Sequence, residues 1–184
     1  MINIYSGKIK MKEIEIEKVY LVKSLPEDLK KHKAISIKIC DFFDPNRVDA
    51  LKLRQIGDNF ELIKKEAKNL HEKIEHKIAI VKGEFDALWK VAKQKHEKVR
   101  VLYPLGELTC EIDFYKGKLD GYVRVEVEFK TKEDMENFIA PNWFGKEITE
   151  FNHKIHKDLG IISFDDMKER FAKRNIQLLK ISNM

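Results

Sequence analysis

The sequence has few of the residues that mark secreted, fibrous or membrane-spanning proteins. Its 184 residues include two cysteines, Cys40 and Cys110, too few for a disulfide framework. Eight glycines and four prolines are too few for a low-complexity chain. No run of roughly 18 apolar residues predicts a membrane-spanning helix, and residues 1–13 lack the apolar core of a signal peptide. These absences favour a cytoplasmic protein with a hydrophobic core of its own.

Charge is abundant but nearly balanced, with 36 Lys and Arg against 31 Asp and Glu and a net charge of +5. This balance excludes a histone-like polycation and most disordered tails. A nucleic-acid-binding module would carry a contiguous basic patch with interleaved aromatic residues. Here the charges alternate with apolar residues and basic groups are matched by acids. We therefore expect neither nucleic acid nor a membrane as a partner.

The dominant pattern has a period of two residues, as in β-strands that bury one face. In the first such segment, Glu13, Glu15 and Glu17 alternate with Ile14 and Ile16. About eight segments of this kind occur, separated by turn signals. The others lie at 35–39, 51–54, 59–65, 74–80, 98–101, 108–114 and 123–129. This spacing predicts an antiparallel sheet.

Amphipathic stretches between and after the strands predict helices. Residues 84–97 place apolar side chains on one stripe, and residues 150–160 do the same. Thr131 and Ser163 each precede an aspartate by three residues, which fits a capping box at the start of a helix. These helices can cover the apolar face of the sheet, which leaves the charged face to be explained.

The charged face of each strand is the informative feature. Cations recur on some strands and acids on others; the cations are Lys52, Arg54, Lys98 and Arg100, and the acids are Glu15, Glu17, Glu111, Asp113, Glu126 and Glu128. About eight antiparallel strands can close into a barrel, whose charged interior must be wet or filled by ligand. Alternating glutamates can bind a hard divalent cation, and rows of Lys and Arg can bind phosphate oxygens. One lumen with both predicts a site for a metal-bound polyphosphate, whereas the alternative is a solvated sheet surface.

An ordered series of motifs resembles the CYTH domain of the triphosphate tunnel metalloenzymes, over roughly residues 12–160. The series consists of Glu15-Ile16-Glu17-Lys18-Val19, Lys52-Leu53-Arg54, Lys64, Lys98-Val99-Arg100, Glu111-Ile112-Asp113, Glu126-Val127-Glu128 and Pro141-Asn142-Trp143-Phe144-Gly145-Lys146-Glu147-Ile148-Thr149. A single Glu-x-Glu is weak evidence, whereas the order of the whole series is fairly specific.

The resemblance implies an α+β, mainly β, fold: an eight-stranded antiparallel β-barrel tunnel with flanking helices. It implies a single CYTH-like domain over residues 1–184, with residues 1–11 as an N-terminal extension and residues 161–184 as a C-terminal helical segment. The implied activity is that of a triphosphatase, a phosphoanhydride hydrolase that acts on a small triphosphate, inorganic triphosphate first. The implied cofactor is Mg²⁺ or Mn²⁺. The oligomeric state is left open, a homodimer included.

The resemblance also assigns roles by position. Residues that would take part in catalysis, as metal ligands or by orienting the attacking water, are Glu15, Glu17 and Glu75. Residues that would bind the phosphates are Lys52, Arg54, Lys64, Lys73, Lys98 and Arg100. Residues that would bind the metal are Glu15, Glu17, Asp113, Glu126 and Glu128.

Three positions depart from the family pattern. Val19 stands where the first motif normally ends in lysine, and Lys73 and Lys77 stand where acids are usual. A more cationic lumen should keep anion binding while weakening metal-assisted hydrolysis, because a missing ligand lowers the rate strongly. The alternatives are therefore a catalytically weakened triphosphate- or polyphosphate-binding protein, a thiamine triphosphatase or a class IV adenylate cyclase.

Overall fold

A computed structural model describes residues 10–42, 50–156 and 158–182. Nine strands lie in these ranges: β1 (Lys10–Val22), β2 (Ala34–Phe42), β3 (Ala50–Ile56), β4 (Asn59–Ala67), β5 (Glu72–Ile80), β6 (Gln94–Leu105), β7 (Leu108–Tyr115), β8 (Val123–Phe129) and β9 (Phe144–Glu147). Four α-helices lie in the same ranges: α1 (Lys82–Val91), α2 (Lys132–Asn137), α3 (Thr149–His156) and α4 (Phe164–Ala172). Residues 1–9 of the predicted N-terminal extension lie outside the described residues, whereas Lys10 and Met11 begin β1.

Eight of the strands close into an antiparallel barrel, in the order β1-β5-β4-β3-β2-β6-β7-β8 and back to β1. Closure depends on the length of β1, whose residues 10–16 pair with β5 and whose residues 16–21 pair with β8. The short strand β9 adds to the end of β1. The predicted eight-stranded antiparallel barrel is confirmed.

Tight hairpins join neighbouring strands of the barrel. Gly57 has φ +54° between β3 and β4, and Gly106 has φ +61° between β6 and β7. Both values lie in the left-handed region, which glycine enters without the steric penalty that a Cβ brings. These turns fix which residues face each other across the hairpins, and so which side chains point inward.

Helices cover the outer face of the barrel, as the amphipathic patterns predict. Phe85 of α1 packs with Cys40 and Leu53 on one side. Met135 of α2 joins a larger cluster on the opposite side, together with outward-facing Val125 of β8. Burying each large apolar side chain stabilises the fold by about 1.5–3 kcal/mol. The outer face is therefore largely a packed core, and the charged side chains lie within the barrel.

The helix predicted over residues 84–97 is shorter than expected. It ends at Val91, and β6 begins at Gln94. The reason is that residues 94–101 pair with β2, with His96 opposite Ile39, and this ladder outweighs the local helical pattern. The capping residues are confirmed: the Thr131 hydroxyl accepts from the Asp134 backbone N–H at 3.1 Å, and the Ser163 hydroxyl from that of Asp166 at 3.2 Å.

The end of the barrel at which β1 finishes is filled by the C-terminal part of the chain. Val19 and Leu21 share the inward-facing side of β1 with the glutamates before them, yet both belong to an apolar cluster. That cluster also contains Ile155 of α3 and the fully buried Met167 of α4. We call this cluster the plug. No helix in the described ranges is both long and apolar enough to cross a membrane.

Candidate active site in the barrel lumen

A cavity of about 320 Å³ lies inside the barrel. One side of its wall is apolar and is formed by Ile35, Ile37 and Ile39 of β2, with Ile56 and Leu102. The rest of its wall carries charge, and the charged residues are Glu15, Glu17, Lys52, Arg54, Lys65, Lys77, Lys98, Arg100, Glu111, Arg124, Glu126 and Glu128. The lumen is therefore a polar chamber with one apolar wall, and its charged side chains can bind both anions and cations.

Basic side chains of β3 and β4 line one part of the chamber. Lys52 and Arg54 alternate on β3 and both face inward. The Nη2 of Arg54 donates to Oε2 of Glu61 at 2.7 Å, which holds the guanidinium in place. Lys65 of β4 donates through Nζ to Oε2 of Glu15 at 3.0 Å. Burial lowers the pKa of Lys65, against the opposing effect of Glu15. An anionic ligand would find these cations already oriented.

The lysine of β4 that lines the chamber is Lys65, not Lys64. Inward-facing Ile63 and Lys65 lie opposite Lys77 and Glu75 of β5, while Lys64 lies opposite His76 on the other face of the pair. Lys64 therefore does not occupy the place predicted for a phosphate-binding residue. The error is a slip of one position, which reverses the face of a strand.

The inward face of β5 carries two of the unusual lysines. Lys73 forms an ion pair with Oε1 of Glu17. Lys77 lies with Nζ at 2.8 Å from Oε2 of Glu75, and Lys65 contacts the other oxygen of that carboxylate. Glu75 is only 1% exposed, so it acts as a buried counter-ion between two lysines. The predicted catalytic role for Glu75 stays a prediction.

Carboxylates of β1 and β8 face each other across the strands. Glu17 lies directly opposite Glu128 in the register, an arrangement that like charges disfavour. Burial, then Glu15, Glu126 and Glu17, raise the pKa of Glu128. A cation between these carboxylates would relieve the repulsion, so their oxygens suit a hard divalent metal.

The carboxylates would not enclose a metal by themselves. In the part of the chain that the structure describes, no group of three or more His, Cys, Asp or Glu side chains is placed to hold one. Mg²⁺ commonly uses one or two carboxylates and completes its coordination with water and substrate phosphate oxygens. The glutamate pair Glu17 and Glu128 fits that arrangement.

Asp113 is the hub of the charged network. It is fully buried, and its two oxygens accept from Nε of Arg100 at 2.7 Å and from Nη2 at 2.8 Å. Lys98 also contacts it, and Nη2 of Arg124 lies at 3.5 Å. Burial opposes ionisation, but Arg100 and Lys98 lower the pKa of Asp113. Asp113 therefore orients cations from behind the cavity wall, and its predicted metal role stays a prediction.

The cations around Asp113 differ in how firmly they hold their charge. Burial, followed by the nearby Arg100, lowers the pKa of Lys98 to about 8. Burial also disfavours the charged form of Arg100, yet Asp113 and Glu111 raise the pKa of Arg100 well above its usual value. Arg100 thus stays charged at any ordinary pH, whereas Lys98 can lose its proton under mildly alkaline conditions.

Sequence reasoning did not single out Arg124, which links the chamber to the plug. Its Nη2 lies 2.6 Å from Oε1 of Glu126, and its Nη1 donates to Oδ1 of Asn152 on α3 at 2.7 Å. Burial opposes the charge of Arg124, but Glu126 and Tyr115 raise its pKa. The alternation on β8 indicates it, since Arg124 lies on the same face of the strand as Glu126 and Glu128.

Val19 lies in the plug. It is fully buried, its backbone N–H donates to Oγ1 of Thr149 at 3.0 Å, and its carbonyl accepts from Ile148 N–H at 2.7 Å. The valine therefore has an apolar environment that a lysine at this position would disrupt. In this chain Lys65, Lys73 and Lys77 bring positive charge to the β1 glutamates instead.

The chain is similar to proteins of known activity. It is 33% identical over 150 residues to an inorganic triphosphatase of Nitrosomonas europaea, an alignment that covers 80% of this chain and 97% of that protein. It also matches a crystal structure of an inorganic triphosphatase with a TM-score of 0.56 and 30% identity, over 74% of this chain and 87% of the other.

A more distant match shows the fold alone. A conserved protein of Pyrococcus furiosus has 17% identity and a TM-score of 0.50, over 83% of this chain and 93% of that one. No family model matches the chain. The identity and coverage shared with the Nitrosomonas enzyme, together with the closed eight-stranded barrel and its charged lumen, show that the chain belongs to the CYTH family of triphosphate tunnel metalloenzymes.

Proposed function

We propose that this protein hydrolyses inorganic triphosphate in the barrel lumen with the help of Mg²⁺ or Mn²⁺. One observation carries the proposal: a single cavity presents oriented cations, such as Arg54 and Arg100, and a facing pair of carboxylates, Glu17 and Glu128. The cations can bind a chain of phosphates, and the pair of carboxylates can bind a divalent metal. The named activity of the Nitrosomonas relative supports the choice of substrate.

The chain's own residues would act mainly by positioning and charge neutralisation, as in other phosphoryl transfers. Lys52, Arg54 and Lys65 would bind phosphate oxygens along one side of the chamber. Arg100, oriented by Asp113, would bind them from another strand. A bound Mg²⁺ or Mn²⁺ supplies further neutralisation of charge at the phosphate oxygens.

The β1 glutamates would orient the attacking water once a ligand draws their lysine partners away. Oε2 of Glu15 accepts from Lys65, and Glu17 is paired with Lys73. Phosphate oxygens compete for these ammonium groups, so substrate binding would release both carboxylates. Binding of the substrate would thus free the carboxylates that its hydrolysis requires.

The same ion pairs favour a second candidate, a triphosphate-binding protein with weak catalysis. If Lys73 stays on Glu17 when triphosphate is bound, that carboxylate serves neither metal nor water. Tight binding of triphosphate with negligible phosphate release would identify this case.

The test is phosphate release by the full chain from inorganic triphosphate, thiamine triphosphate and ATP, each with Mg²⁺, Mn²⁺ or chelator. Calorimetry on the same sample measures binding. We expect metal-dependent release from inorganic triphosphate, and a Glu128→Gln variant that needs roughly 10–100-fold more metal. The matched control is Glu107→Gln, which alters an exposed glutamate at the β6–β7 turn. Release that chelator leaves unchanged would refute the metal-dependent mechanism.

The proposal includes a cytoplasmic location. Cys40 and Cys110 are both free and buried, which agrees with a reducing compartment.

A further inference from the structure

A second cavity, of about 420 Å³, lies beside the plug and outside the lumen. Its wall is formed by Trp89 of α1, by the start of β6, by the turn after β7 and by Leu159 and Gly160 before α4. Among the described lining residues, none is shared with the lumen cavity. It is therefore a separate chamber, and neither the proposed reaction nor the family motifs use it.

Three lysines surround the second cavity: Lys95 of β6, and Lys116 and Lys118 of the turn after β7. Nζ of Lys95 lies 5.3 Å from the centre of the Trp89 ring, a cation–π contact that holds the ammonium group at the wall. None of the three forms an ion pair with a carboxylate among the described residues. Three ammonium groups that form no direct ion pair make the cavity attractive to an anion.

A single carboxylate is found among the described residues that line this cavity. It belongs to Glu97, whose Oε1 lies 4.0 Å from Nζ of Lys38. Glu97 is exposed and has a cationic neighbour of its own, so it does not cancel the positive charge of the three lysines.

His96, which follows Lys95 on β6, does not present its ring to this cavity. It is 6% exposed, and neither ring nitrogen has a hydrogen-bond partner in the described part of the molecule. Its Nδ1 is 3.8 Å from Oδ2 of Asp41, beyond hydrogen-bond distance, and Asp41 in turn lies 3.3 Å from Nζ of Lys52. His96 lies opposite Ile39 of the lumen wall, so its ring points into the barrel, toward Asp41, and away from Lys95.

The cavity is also preformed. A Cβ at Gly160 would collide with the backbone of Gln94, so the segment before α4 lies directly on the start of β6. Gly117, with φ +65°, shapes the turn that carries Lys116 and Lys118. Both walls are thus fixed by backbone geometry, and a ligand would not need to order them.

We propose that this second cavity binds a small phosphate-class anion, with Lys95, Lys116 and Lys118 neutralising its charge and donating hydrogen bonds to its oxygens. This site is independent of the lumen, because none of its described lining residues lines the lumen cavity, and its occupancy needs no hydrolysis.

Inorganic phosphate is the probe, and Trp89 is the reporter. The chain has two tryptophans, so a Trp143→Phe background leaves the fluorescence of Trp89 alone. We expect a saturable change on phosphate titration that chloride at equal ionic strength does not reproduce. The double variant Lys116→Ala/Lys118→Ala should weaken binding by at least about tenfold, the loss of charge-assisted hydrogen bonds.

Two control variants complete the experiment. The double variant Lys130→Ala/Lys173→Ala removes two exposed lysines elsewhere and should leave the titration within about twofold of the parent, as expected for distant surface sites. Arg54→Ala, which damages the lumen, should also leave it unchanged. The proposal is overturned if no saturable change occurs, if Lys116→Ala/Lys118→Ala titrates like the parent, or if Arg54→Ala abolishes the signal. Because no triphosphate is present, these outcomes do not depend on the proposed hydrolysis.

Discussion

Arg100 and Asp113 lie directly opposite each other on β6 and β7, and the guanidinium donates to both carboxylate oxygens, at 2.7 and 2.8 Å. The same Nη2 also donates to Oε2 of Glu126 at 2.8 Å. A planar group with several fixed donors satisfies three acceptor oxygens here, which a lysine with one ammonium cannot do. The pair therefore fixes where positive charge stands in the lumen.

We expect Arg100→Lys to keep the charge and lose this geometry. The free energy of unfolding should fall by about 1–3 kcal/mol, because buried acceptors lose their donors, and triphosphate should bind at least about tenfold more weakly. Urea unfolding and calorimetry measure the two effects. Arg170→Lys is the control, since Arg170 pairs with Asp158 but is 40% exposed, and it should change stability by less than about 0.5 kcal/mol. Equal effects of the two variants would contradict the role given to Arg100.

Lys65 and Lys64 are neighbours in the sequence and face opposite sides of β4. Lys65→Ala removes a cation from the chamber and leaves Glu75 with one lysine fewer, so triphosphate affinity should fall by at least about tenfold. Lys64→Ala should change it by less than about threefold, since its side chain does not line the cavity. Calorimetry with inorganic triphosphate checks both. A larger loss of affinity in Lys64→Ala than in Lys65→Ala would mean that Lys64, and not Lys65, faces the triphosphate.

Val19→Lys restores the residue that the family motif normally has. We expect a loss of at least about 2 kcal/mol in the free energy of unfolding, because an ammonium group would enter the apolar plug. We expect no gain in phosphate release. Val19→Met, of similar length and uncharged, should lose less stability. Unchanged stability with faster release would instead show that position 19 faces the substrate.

Triphosphate affinity should fall as the pH rises from about 6 to about 9. Burial raises the pKa of Glu111 to about 7, against the effect of Arg100, so this carboxyl gains negative charge through the neutral range. Burial and Arg100 lower the pKa of Lys98 to about 8, so this ammonium then loses its positive charge. Both changes make the lumen more negative.

Glu111→Gln separates the two steps. Calorimetry in the presence of chelator, on the variant and the parent across the same pH range, cancels the titration of the ligand itself. The ratio of the two affinities should change through neutral pH and level off above about pH 8. A ratio that stays constant would show that Glu111 does not titrate in this range.

The sequence predicted well wherever a strand alternates cleanly. Glu15, Lys52 and Glu126 have apolar neighbours on both sides and all line the chamber as expected. Residues 62–65 read Leu-Ile-Lys-Lys, so neither the apolar nor the basic pair indicates which side is inside, and the choice of Lys64 was wrong. The inward side of such a strand is decided by its partners β3 and β5 rather than by its own pattern.

The role of position 19 could not be predicted from local pattern at all. Its parity is that of Glu15 and Glu17, which made the valine look like a missing lysine. That end of the barrel is hydrophobic core because α3 and α4, more than a hundred residues later in the chain, pack against Val19.

Among the described residues, the plug fills one end of the barrel, and exposed Leu102 lines the chamber away from the plug. Substrate and product would then use the same end of the barrel. Phosphate released by the proposed reaction would therefore stand in the path of the next triphosphate, so the two would exclude each other. Product inhibition of this protein should accordingly follow a competitive pattern, overcome by raising the concentration of substrate.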